Sequence, residues 1–207
     1  QTTHVVMQGD VATTTTVTTS PSPSNAGETI TFSAAVVGPA GQPATGGMVA
    51  FIEGPTTLCT ASVDASGLAE CTMSGLPPGI HAITGTYSGF PGFLPSSGIN
   101  AHIVRTPTTT TLTTSPNPSY VTEAITLTAT ISTTTGILTG SVEFFDGATS
   151  LGSAALVSDT ATLHVPALAL GSHTLTANFS GDLLNESSTS SPMTHQVDLI
   201  DLEVIKS

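Results

Sequence analysis

Tryptophan is absent from this sequence of 207 residues, and only two residues are basic, Arg105 and Lys206. Direct nucleic-acid binding is thereby excluded as a function class, because it needs Lys and Arg to neutralise phosphates. Polybasic attachment to an anionic membrane falls by the same argument. Ion-pair networks cannot hold the fold together either: 14 acidic residues face those two cations, and the formal net charge is −12 at pH 7. Aromatic side chains number nine, seven Phe and two Tyr, too few for the exposed aromatic platforms that commonly bind carbohydrate. No apolar run reaches the roughly 18 residues of a membrane span. Yet 38% of the residues are hydrophobic and only 8% charged, which does not fit disorder driven by charge. The chain reads as folded, soluble and acidic, held by burial, backbone pairing and its two cysteines. Gln1, where an initiator Met would stand, suggests a mature chain freed of a secretion signal.

What is present is a repeat. TTTTVTTSPSPSNAGETITFSAAV from Thr13 returns as TTTTLTTSPNPSYVTEAITLTATI from Thr108, an offset of 95. GMVAFIEG from Gly47 returns as GSVEFFDG from Gly140, and LPPGIHAITGTYSG from Leu76 as LALGSHTLTANFSG from Leu168, at offsets of 93 and 92. The expected division is an N-terminal arm 1–12, a first domain 13–104, a second domain 105–197 and a C-terminal arm 198–207.

Within each copy the apolar period is two. Ile30, Phe32, Ala34 and Val36 alternate with smaller or polar residues, as do Ile125, Leu127, Ala129 and Ile131, the pattern of a half-buried strand. About seven strands are expected in the first copy, near 13–19, 29–37, 48–52, 58–63, 68–73, 81–87 and 99–104. Gly, Pro, Asn and Asp punctuate them and no helical stripe occurs. The fold class is all-β: two tandem immunoglobulin-like β-sandwich domains with β-prone terminal arms.

The recurring motifs carry a resemblance. G-x-V-x-F (Gly47, Val49, Phe51; Gly140, Val142, Phe144) is followed by L-x-x-G-x-H-x-[IL]-x-[GA]-x-[YF]-S-G. The second motif runs from Leu76 through His81 to Gly89 and from Leu168 through His173 to Gly181. Together they resemble the bacterial Ig-like tandem-repeat domains of secreted and cell-surface proteins. The resemblance implies a spacer or adhesive module, and no catalytic residues come with it. Members often place Asp after the last Gly; Asp182 keeps it and Phe90 replaces it.

Cys59 and Cys71 flank the turn signal Asp64-Ala65-Ser66-Gly67 symmetrically, so a hairpin would set them opposite each other. A structural disulfide is expected, in preference to a reactive or metal-binding thiol pair, and it points to an oxidising compartment. The six histidines fall mostly at repeat-equivalent positions, His81 with His173 and His102 with His195. Repetition explains that spacing better than coordination does, so no metal or other cofactor is expected. Glu53 and Asp146 read as solvated turn residues. No G-x-S-x-G, P-loop or HExxH sequence occurs, and no enzymatic activity is expected. Asn178 and Asn185 begin N-glycosylation sequons, and the Thr-rich strands at 13–19 and 106–114 offer O-linked positions or simply first strands.

Both arms carry large aliphatics at strand-like spacing: Val5, Val6, Met7 and Val11, then Leu199, Ile200, Leu202, Val204 and Ile205. An extended apolar segment without a slot in its own domain invites strand addition to another sheet, and head-to-tail donation builds a fibre. The leading expectation is an extracellular or cell-surface structural subunit whose partner is itself. The alternative is a spacer segment, or an adhesive module, of a larger surface repeat protein, with neighbouring Ig-like domains as partners. Neither reading involves nucleic acid or membrane insertion. Arg105 lies in the expected linker, so trypsin should release two resistant halves.

Overall fold

Strands in this chain bury one face because every second side chain is apolar. Ile30, Phe32, Ala34 and Val36 are all buried while their neighbours along the strand are not. The structure, a computed structural model, describes residues 10–134 and 136–200, and it divides into two compact units between Arg105 and Thr106.

The first unit contains β1 (Thr14–Ser20), β2 (Ser24–Asn25), β3 (Ile30–Val37), β4 (Met48–Glu53), β5 (Thr56–Ser62), β6 (Leu68–Met73), β7 (Gly79–Tyr87) and β8 (Ser96–Arg105). They form two sheets, ordered β1-β3-β6 and β2-β8-β7-β4-β5. All pairings are antiparallel except that of the short β2 along β8. The second unit repeats the plan with β9 (Thr108–Ser115), β10 (Ser119–Tyr120), β11 (Ile125–Thr133), β12 (Ser141–Asp146), β13 (Thr149–Ala155), β14 (Thr160–Val165), β15 (Gly171–Phe179), β16 (Ser188–Thr189) and β17 (Met193–Asp198). Its sheets run β14-β11-β9 and β10-β17-β15-β12-β13, with β16 set against β15. Each unit is an immunoglobulin-like sandwich whose inner faces interdigitate.

The first core joins its sheets through Phe32 and Phe51, whose rings stack 5.7 Å apart. In the second core Leu127 and Phe144 hold the matching registers, opposite Leu163 and Gly152. Two paired glycines, Gly85 and Gly98, let β1 pass over the larger sheet of the first unit. A Cβ at Gly98 would run into the Thr15 carbonyl, and one at Gly85 would lie 2.6 Å from the Val17 side chain.

The expected hairpin between β5 and β6 does not form. β5 bonds to β4 and β6 to β3, so the Asp64–Gly67 turn carries the chain from one sheet to the other. The Cys59–Cys71 disulfide, with Cα atoms 6.4 Å apart, therefore clasps the two sheets rather than two paired strands. Turn residues look the same whether a chain returns within a sheet or crosses the sandwich. In the second unit the same registers hold Gly152 and Leu163. A Cβ placed on Gly152 would meet the Leu163 methyl carbons at 3.5 and 3.6 Å, so leucine fills the place of the bridge.

Candidate functional site

Three features recur at equivalent positions of both units: a histidine pair, a carboxylate beside it, and a loop that captures the residue leading into the domain. His81 and His102 lie opposite each other on β7 and β8, and His173 and His195 do so on β15 and β17. His102 shares hydrogen bonds with Ser24 Oγ at 2.9 Å and Thr19 Oγ1 at 3.0 Å. His195 repeats this with Ser119 at 2.9 Å and Thr114 at 3.5 Å. These two histidines pin the first strand of each sandwich and the short strand after it onto the last. Burial, and next the neighbouring histidine, hold the pKa of His102 and of His195 below the ordinary value.

The outer member of each pair faces acceptors. His81 meets the Glu53 carboxylate at 2.9 Å and the Pro77 carbonyl at 2.8 Å. His173 meets Asp146 at 2.6 Å and the Ala169 carbonyl at 2.8 Å. The Ala169 carbonyl and then Asp146 raise the His173 pKa, outweighing its partial burial. Glu53 and Asp146 are thus histidine partners, not the solvated turn residues expected. Their signal was available: an acidic residue before Gly54 and before Gly147 recurs with the histidine of the second motif. Every ring nitrogen of these four histidines is engaged within its own unit. Among the described residues no three His, Cys, Asp or Glu side chains gather as a metal site.

The loop after β15 is organised by Asp182. Its carboxylate accepts from Thr139 N and Oγ1, both at 3.0 Å, from Leu184 N at 2.8 Å and from Asn185 N at 2.9 Å. Burial works against the charge, but these hydrogen bonds prevail and leave the Asp182 pKa lowered. Asn185 is 2% exposed, and its amide nitrogen donates to Asp182 and to the Ile137 carbonyl. The folded chain therefore does not present Asn185 for glycosylation; its sequon reflects a loop lock. Asn178 is exposed on β15. In the first unit Phe90 takes the place of the aspartate and lies against Gly46, where a Cβ would be 2.8 Å from the ring.

Each loop captures a lead-in residue. Val11 bridges Phe93, donating to the Gly92 carbonyl at 3.0 Å and accepting from Leu94 N at 2.9 Å. Thr106 bridges Asn185 in the same parallel sense, donating to the Leu184 carbonyl at 2.8 Å and accepting from Glu186 N at 2.9 Å. Val11, expected as part of a free assembly strand, is occupied by its own domain. Val5, Val6, Met7, Leu202, Val204 and Ile205 lie outside the described residues. Leu199 and Ile200 follow β17 and are 64% and 52% exposed.

The sequence profile of the bacterial Ig-like domain, group 3, matches residues 10–104 and again 112–198. No curated protein matches this sequence. Among solved structures, the fibronectin(III)-like modules of Clostridium thermocellum CbhA are 19% identical with a TM-score of 0.54, over 93% of this chain and 97% of theirs. The Escherichia coli adhesin FdeC is 15% identical with a TM-score of 0.50, over 89% of this chain and 64% of its own. A C-terminal intimin fragment, solved with the intimin-binding domain of the translocated intimin receptor, is 14% identical with a TM-score of 0.51. That alignment covers 87% of this chain and 63% of the fragment. At these identities the likeness is one of fold.

Proposed function

Because the chain belongs to the bacterial Ig-like domains of group 3, which it carries twice, we propose that it serves as a non-catalytic spacer or adhesive segment of a bacterial surface or extracellular protein. The observation that carries this reading is the captured lead-in residue. Val11 enters the first domain and Thr106 the second by the same two backbone hydrogen bonds. Leu199 stands where Thr106 stands: Val104 and Val197 pair with the glycines that open β7 and β15, two residues earlier. A tandem array needs such a unit, in which each last strand leads directly into the loop of the next domain. Its partners on this reading are neighbouring Ig-like domains, and Asn178 is its candidate for N-linked sugar.

A head-to-tail fibre is the second reading, favoured by the exposed Leu199 and Ile200. Negative-stain microscopy of the full chain, beside one lacking 198–207, separates the two. The spacer reading expects dispersed particles in both samples. Fibres that vanish on truncation would replace it with the polymer subunit.

A further inference from the structure

The two domains share a fold but differ sharply on one face. On the outer side of β7 and β8 the cross-strand pairs are Ile80 with Ile103, Ala82 with Ala101, and Thr84 with Ile99. Ile80 is 67% and Ile99 69% exposed, whereas the other Leu, Ile and Val side chains on the described strands are buried or half-buried. The same face of the second domain pairs Ser172 with Gln196 and Thr174 with Thr194, and carries Glu143 and Asp198 where the first domain has Ala50 and Arg105. A fold that needed apolar residues at these positions would carry them in both copies. The first domain carries them for another reason.

We propose that this face is a self-association surface, on which two copies of the chain pack sheet to sheet about a two-fold axis. Charge favours a second copy as the occupant. Each copy has a net charge of −12, so most pairings of two copies oppose carboxylates. None of the acidic residues of the first domain lies in the patch formed by these three pairs. Relief favours it as well. The Ile80–Ile103 pair borders a trough formed by Ala82 and Ala101, about 6.6 Å away along the strands, and the Thr84–Ile99 pair borders its other side. A two-fold axis midway between that isoleucine pair and the alanines sets Ile80 and Ile103 of each copy over the alanine trough of the other, a reciprocal fit of the isologous kind. The larger sheet offers four long strands of six to ten residues, so two copies bury on the order of 1,000 Å² in total, the low end for a specific interface. An interface of that size is of the transient, reversible kind. This inference is independent of the spacer reading, which concerns the chain ends.

Sedimentation equilibrium of the full chain tests it, beside the double variant Ile80→Ser, Ile103→Gln. Those substitutions install the residues that the second domain already carries, so the variant should melt near the parent temperature. The parent should dimerise reversibly, more tightly as salt rises, and the variant should associate at least about 100-fold more weakly. Ala82→Cys should crosslink copy to copy on mild oxidation, whereas Thr174→Cys, at the same place in the second domain, should not. A parent that stays monomeric to about 1 mM, a variant that dimerises equally, or equal crosslinking from both cysteines would overturn the proposal.

Discussion

His102 and His195 occupy one position in two cores, and both are more easily kept neutral than a free histidine. An unfolded chain binds more protons than the folded one between the lowered pKa and about 6.5. Their contribution to stability is therefore complete above that unfolded value and is lost as pH falls through the folded one. His173 works in the opposite sense. Its raised pKa means its contribution is present below about 6.5 and is lost as pH rises past the folded value. In the first domain the inner histidine is His102. His102→Gln, which keeps groups able to reach Ser24 and Thr19, should flatten the melting temperature of that domain between about pH 7 and pH 5. Calorimetry of parent and variant across that range checks it; an unchanged slope would remove His102 as the cause. Equivalence of the histidines was legible in the sequence as repetition. Their partners were not, because Ser24 and Thr19 reach His102 only once β2 lies along β8.

At the scale of elements, the sequence reading placed the strands of the first unit close to where they lie, yet misassigned one pairing. Alternation reports which side of a strand is buried, not which strand lies next to it. The crossing between β5 and β6 turns a local staple into a clasp between sheets, and the second domain meets the same need with Leu163 over Gly152. The loop closed by the disulfide spans a sequence separation of 12. Opening it should lower the stability of the first domain by about 3 kcal/mol and leave the second untouched. Cys59→Gly with Cys71→Leu, copying the second domain, should recover part of that loss. Thermal unfolding with and without reductant, compared with the double variant, measures both effects. Equal loss in both domains on reduction would contradict the assignment.

For the whole molecule, the residues on either side of the expected linker are held by backbone pairing. Arg105 ends β8 paired with Asn25, and its Nε is buried without a hydrogen-bond partner. Thr106 is bound at once by Leu184 and Glu186. A protease needs several residues of free extended chain, and neither side of this bond supplies it. Native trypsin digestion should leave residues 10–200 intact over hours, with cleavage at Arg105 only after denaturant is added. Rapid release of two halves from the native chain would show that the junction opens readily.

Composition and period were enough to settle the class of this protein. Scarce Lys and Arg argued against nucleic-acid binding, alternation dictated strands, and a twofold internal match required two like domains. These are properties of the residues themselves or of their near neighbours along the chain. What tertiary structure alone decided is which distant groups meet: the cysteines across the sandwich, Glu53 and Asp146 with their histidines, Val11 with its own loop, and the isoleucines on one outer face. Partners separated by many residues depend on strand order and register. Those follow from how whole faces pack, which no local pattern in the sequence records.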